Sequence, residues 1–172
     1  MFNIVTASAL RAPPAPVTTT ATFVPFDSNK QPNRKDVLQL RRSLLSMARD
    51  ISTDGSAFGY TGLVVAGAEY NRITNNAPAY QVPIHPGNQV PQGANQLAAY
   101  QNEENYKREL KKFEDHQAAS KNMKAAVKAA VPAQYLKEIA DPDVGYANVT
   151  LLDMLNHLFT NYGDVTREDL DA

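Results

Sequence analysis

The sequence has 172 residues, with 17 basic and 18 acidic side chains, a formal net charge of -1 and no cysteine. This length suits one domain with a core of its own, and the balanced charge gives no indication of a polyanion partner or an anionic membrane surface. The lack of cysteine excludes disulfides, thiolate nucleophiles and cysteine zinc sites in this chain, and it favours a cytoplasmic location. No apolar run approaches the ~20 residues of a membrane-spanning helix, so no membrane partner is expected.

Residues 1–32 are predicted to form an extended, flexible arm. Five prolines and a cluster of threonines lie in this stretch, and proline removes backbone donors and favours extended backbone. The arm also carries apolar side chains that no local helix can cover. Two interpretations stay open: a flexible tail, or an arm that becomes ordered on a neighbouring subunit with Phe23 and Phe26 as its anchors.

Residues 33–53 are predicted to form the first helix, which Asn33 can cap. Apolar side chains recur there every three or four residues, which indicates one buried face. The basic side chains lie mostly off that face and indicate a solvated surface, with phosphate binding as the alternative. These basic residues are Arg34, Lys35, Arg41 and Arg42.

Residues 54–92 contain a short apolar run at 63–66 that periodicity alone cannot assign, and one or two helical turns are predicted at 68–73. From residue 75 to 92 four prolines define a proline-rich loop, which at this length is either functional or disordered. Its apolar side chains have no helix to cover them. The candidate assembly contacts in this loop are Tyr80, Val82 and Ile84.

Three helical segments are predicted in the middle of the chain. Residues 93–117 form a long polar helix, residues 119–131 form an alanine-rich helix, and Pro132 separates the second from a short helix at 133–140. His116 has no partner nearby in the sequence.

The stretch from Asp141 to Gly163 gives the strongest signals. A turn is predicted at Asp141-Pro142-Asp143-Val144-Gly145, and Thr150 with Asp153 forms a capping-box pair that opens a helix. Gly163 occupies the position of a helix-terminating glycine. The apolar stripe of this helix is predicted to be Leu151, Leu152, Leu155, Leu158, Phe159 and Tyr162.

A second capping-box pair, Thr166 and Asp169, predicts another helix close to the end of the sequence. A helix that begins there has little room to continue, which suggests a longer protein beyond residue 172.

The sequence has no pattern typical of a catalytic or metal site. The three histidines are scattered, and there is no glycine-rich phosphate loop, nucleophile elbow or H-E-x-x-H sequence. Asp141 and Asp143 flank a proline and are interpreted as turn formers rather than as an acid/base pair. We therefore expect no enzyme activity, no cofactor and no metal.

Several motifs carry a resemblance to a known family. FGYTGLVV at 58–65 is followed by Glu69-Tyr70, the proline-rich loop and a helix-rich middle. The later motifs are Asp141-Pro142, Gly145-Tyr146, Asn148-Val149-Thr150, LLDMLNHLF at 151–159 and YGDVT at 162–166. In pattern and order the chain resembles the N-terminal capsid region of the Gag-like polyproteins of copia-type long-terminal-repeat retrotransposons, particularly those of diatoms and other microbial eukaryotes.

The repeated spacing of three and four residues predicts a mainly α protein: a compact bundle of about five or six helices over residues 33–172, preceded by the arm at 1–32. The resemblance implies that this bundle is an α-helical capsid domain. It also implies a capsid protein that assembles with copies of itself in cytoplasmic particles around an RNA genome. Because the chain has no cysteine, it lacks the zinc knuckle that such proteins often carry, and RNA binding cannot be assigned to any residue. The alternative is a domesticated Gag-derived binding or adaptor module that does not assemble.

Overall fold

A computed structural model describes residues 23–51, 53, 56–88 and 96–164, and within these residues the chain is mainly α-helical with no β-strand. The four α-helices are α1 (Arg34–Asp50), α2 (Gly67–Thr74), α3 (Gln96–Ala130) and α4 (Leu151–Tyr162). Three short 3-10 helices lie at Thr61–Leu63, Ala133–Tyr135 and Lys137–Ile139. The predicted mainly α character is confirmed.

The described residues contain four α-helices, so the predicted number of five or six is not confirmed. The two helices predicted at 93–117 and 119–131 form the single helix α3, because no glycine or proline interrupts the sequence from residue 96 to residue 130. The helix predicted at 133–140 is instead a pair of 3-10 turns after Pro132. The helix predicted to begin at Thr166 lies outside the described residues.

The core lies where α1, α4 and the C-terminal half of α3 pack against one another. Each helix contributes side chains spaced three or four residues apart, as expected for amphipathic helices. The residues of these three helices with no exposed surface are Val37, Leu44, Ala48, Met123, Val127, Met154 and Leu158.

The buried face of α4 is rotated slightly from the predicted stripe. Leu151, Met154, Leu155 and Leu158 are its buried residues. Leu152, Phe159 and Tyr162 were predicted to belong to this face, but all three are only partly buried. The prediction did not include Met154, because the neighbouring leucines already formed a stripe with helical spacing.

The turn and the cap that precede α4 have the predicted form. Oδ1 of Asp141 accepts hydrogen bonds from the amides of Asp143 (2.8 Å) and Val144 (3.0 Å), and Gly145 has a φ of 59°. Thr150 and Asp153 form the complete capping box. These contacts fix the direction in which the chain enters α4.

Gly163 ends α4, but for a different reason from the one predicted. Its φ is -92°, which is not left-handed, and its amide donates to the carbonyl oxygen of Phe159 at 2.9 Å. A Cβ at this position would overlap that carbonyl group. The glycine is therefore required for close approach to the helix rather than for a positive φ.

Part of the predicted arm belongs to the folded domain. The Phe26 amide donates to the carbonyl oxygen of Ala130 at 2.8 Å, and the Phe26 side chain is buried in the core with Phe23 partly buried beside it. The Tyr135 hydroxyl donates to the Lys30 carbonyl at 3.2 Å. Phe26 therefore cannot anchor on a neighbouring subunit without leaving its own core. Residues 1–22 lie outside the described part of the chain.

Candidate interaction surface

The proline-rich loop lies along α3, and residues 77–88 are referred to below as the strap. The Tyr80 hydroxyl is 3.0 Å from Nδ1 of His116, and the rings of His85 and Phe113 meet edge to face with centroids 5.0 Å apart. Further along, Tyr106 donates a hydrogen bond to a strap carbonyl at 3.2 Å. The strap therefore runs antiparallel to α3, and these three contacts hold it in place.

Tyr80 is the best anchored residue of the strap. Its ring lies edge to face with Tyr60 at a centroid distance of 6.4 Å, and it approaches the 3-10 helix so closely that a Cβ at Gly62 would overlap it. Burial raises the pKa of Tyr80 to about 12, so its hydroxyl stays protonated. Burial lowers the pKa of His116, which favours a neutral imidazole that can accept the hydroxyl proton at Nδ1.

Two predicted contact residues of the strap face solvent. The exposed fraction is 61% for Val82 and 86% for Ile84, whereas Tyr80 is half-buried in the chain's own fold. A large apolar side chain on an anchored backbone cannot easily turn away from water. Of the five candidate assembly contacts, only Val82 and Ile84 lie on a free surface.

The N-terminal half of α3 adds to this surface. Among the described residues of this helix the first buried one is His116, so its first twenty residues contribute no fully buried side chain. Leu97 and Tyr100 are more than half exposed. Ten residues precede the strap contact at Tyr106, so α3 extends about 15 Å beyond that contact.

A groove with a volume of about 470 Å³ lies between the strap, the turn at 56–60 and α3. Phe58, Tyr60, Tyr70 and Tyr80 provide aromatic surface, and the strap adds alanine, proline and valine side chains. The α3 wall is polar and carries Glu109, Lys112 and Asp115. Sequence reasoning did not find this groove, because its walls come from three separate segments.

Several basic side chains have structural roles that the sequence did not reveal. Nη1 of Arg34 donates to the Gly163 carbonyl at 3.0 Å, and Arg41 forms an ion pair with Glu69 at 2.8 Å. Arg72 also binds Glu69, and these contacts lower the pKa of that carboxyl group to about 2. These partners weigh against the phosphate-binding interpretation of the basic face of α1.

Lys124 has a similar structural role. Its ammonium group donates to the Val149 carbonyl at 2.8 Å, next to the N-cap of α4. This bond ties α3 to the segment that leads into α4.

The remaining predicted site residues lie apart from the strap. Asp141, Pro142 and Gly145 form the exposed turn before α4, and Tyr162 lies edge to face with Tyr135 at 5.3 Å. His157 is hydrogen-bonded through Nε2 to the Tyr135 carbonyl at 2.9 Å. These residues therefore stabilise the packing around α4 and do not form a second interaction surface.

Within the described ranges no cluster of His, Cys, Asp or Glu side chains could hold a metal ion. None of the helices in this part of the chain is long and apolar enough to cross a membrane.

Comparison of the chain with family models, with curated proteins and with solved structures gave no match.

Proposed function

We propose that this chain is a structural, self-associating protein of the capsid type, which forms a shell or virus-like particle around a nucleic-acid genome. Copies contact one another through the exposed side of the strap and the N-terminal half of α3. The observation that carries the proposal is Ile84, which is 86% exposed on a strap that Tyr80 and His85 hold on either side.

The physical reason is the cost of exposing apolar surface on an ordered segment. Complete burial of an isoleucine side chain is worth about 1.5–3 kcal/mol. An isolated monomer gains almost none of this free energy, because its Ile84 stays exposed. In an assembly, a second copy can cover Ile84 with its own apolar side chains. Since an assembly repeats each contact many times, a modest gain per contact can hold a particle together.

The remaining parts of the proposal rest on the sequence resemblance. The packaged genome is RNA, and the particle is cytoplasmic. The net charge of -1 and the internal partners of Arg34, Arg41 and Lys124 give no basic patch to which RNA binding can be assigned. The proposal therefore concerns the shell and its protein contacts.

Light scattering and negative-stain electron microscopy of the purified chain test this proposal. Both are recorded over a series of protein concentrations at moderate salt. Rings or regular particles that appear as concentration rises support assembly. A chain that stays monomeric at the highest concentration favours the non-assembling adaptor instead.

A further inference from the structure

The groove beside the strap has the chemistry of a site for polyproline II peptides. Such peptides are bound in shallow grooves lined by aromatic rings, which pack against proline rings and donate hydrogen bonds to backbone carbonyls. This groove has four aromatic side chains and a volume of about 470 Å³.

The α3 wall of the groove carries two carboxylates. Glu109 pairs with Lys112 at 2.8 Å, and Asp115 pairs with Lys111 at 2.6 Å. Both are surface pairs within one turn of the helix, and such pairs contribute little stability. A guanidinium group that reaches this wall can therefore replace a lysine at small cost and form a bidentate bond with a carboxylate.

The same chain contains a segment that matches this groove. Residues 11–16 read Arg-Ala-Pro-Pro-Ala-Pro, with three prolines in four residues, a composition that favours polyproline II backbone. Arg11 is the only charged side chain among residues 1–22. The segment thus offers proline rings for the aromatic floor and one positive charge for the acidic wall.

We infer that residues 11–16 of one copy dock in the groove of a second copy as a polyproline II helix, with Arg11 paired to Asp115 or Glu109. This inference rests on the proposed self-association, because it takes the occupant from another chain.

A second copy is taken as the source because the proposed function already brings copies together. The seven residues from Pro16 to Phe23 span at most about 25 Å. Asp115 lies about 22 Å along α3 from Ala130, where Phe26 is fixed. An occupant from the same chain is therefore within reach, and the isotope mixing below distinguishes the two sources.

Cysteine cross-linking tests the inference, since the natural sequence has no cysteine. A chain with Ala15→Cys and Ala79→Cys is prepared in ¹⁵N-labelled and unlabelled form, and the two forms are mixed before a short bis-maleimide is added. Ala79 lines the groove and is exposed, so its replacement leaves the core intact. Mass spectrometry then shows whether each linked pair combines heavy and light chains.

Docking between copies gives abundant 15–79 links, with heavy–light pairs in the proportion expected from random mixing. The matched control carries Cys at Ala125 instead, an exposed position in the C-terminal half of α3, outside both the groove and the proposed contact surface. Equal yields at residues 79 and 125 would overturn the groove as the docking site. Links at 79 that never combine heavy and light chains would overturn the second copy as the source.

Charge reversal tests the role of Arg11. The Arg11→Glu and Asp115→Arg substitutions should each lower the yield of 15–79 links roughly five- to tenfold, and the two together should restore it if Asp115 is the partner. If the double exchange restores nothing, Glu109→Arg is combined with Arg11→Glu in the same way. Yields that do not respond to any of these reversals would contradict the proposed charge pairing.

Light scattering of the same samples separates this inference from the proposed function. Particles or oligomers without heavy–light links at residue 79 would overturn the docking while self-association stands. A strictly monomeric sample without such links would overturn both.

Discussion

The hydroxyl of Tyr80 lies 3.0 Å from Nδ1 of His116, and their rings are stacked with centroids 6.0 Å apart. These residues are 36 positions apart in the sequence. Through them the proline-rich strap is joined to α3 at the point where that helix enters the core. The position of Ile84, and the shape of the groove beside it, depend on this contact.

Stability should fall on acidification through His116. Burial lowers the pKa of His116 in the folded chain below the ordinary value of 6.5, so the unfolded chain binds the proton first as the pH falls. The free energy of unfolding should therefore decrease below about pH 6.5 and keep decreasing until the pH passes the folded pKa. Denaturant unfolding at several pH values between 7.5 and 5 measures this slope.

Substitution separates this effect from other groups that titrate. Asn at position 116 can place an acceptor near Nδ1 but does not titrate, so His116→Asn should flatten the slope. The rings of Tyr60 and Tyr80 lie beside the imidazole, Lys112 lies one turn before it on α3 and Asp115 precedes it in the sequence, and all four residues are unchanged in the variant. His85→Gln serves as the control on the strap. An unchanged slope in His116→Asn would rule out the proposed origin of the pH dependence.

Gly62→Ala should loosen the strap, because the new methyl group would overlap the Tyr80 side chain. Overpacking of this kind typically costs about 1–3 kcal/mol. The comparison is the same substitution in a Tyr80→Ala background, where the methyl group has space. Thermal unfolding of the four chains gives the coupling energy, and a cost of Gly62→Ala that is the same in both backgrounds would mean that the two residues do not contact.

The sequence predicted features that depend on neighbouring residues. The capping box of Thr150 and Asp153, the turn at Asp141 and the helix α4 each involve residues within a few positions, and the structure contains them, although the buried face of α4 is rotated from the predicted stripe. Local hydrogen-bonding chemistry and the 3.6-residue helical period are sufficient for such features.

The surface and the groove could not be predicted in this way. His116 had no recognisable partner because Tyr80 is distant in sequence, and Phe26 was assigned to an arm because no local helix could cover it. Both residues are placed by long-range packing, on which single-sequence periodicity carries no information. The exposure of Val82 and Ile84 could be predicted, because their loop has no helix of its own that could cover apolar side chains. That is a local property of the sequence.

Leu155→Ala should cost about 2–5 kcal/mol, because Leu155 is 2% exposed in the core and its loss leaves a cavity. The matched control is Leu152→Ala, which removes the same atoms from a partly exposed position on the same helix. It should cost clearly less. Chemical denaturation of both variants measures the difference, and equal losses would show that the buried face of α4 is wrongly assigned.

Ile84→Ser should weaken self-association while leaving the fold intact. The side chain is 86% exposed, so its removal from the monomer should change stability by no more than about 0.5 kcal/mol. Loss of an isoleucine buried between subunits should raise the concentration for half-assembly by roughly tenfold or more. Val144→Ser is the matched control, since Val144 is an exposed apolar residue (51%) in the turn before α4. Concentration-dependent light scattering and thermal unfolding are measured on both variants, and equal assembly by the two would show that the strap is not the contact surface.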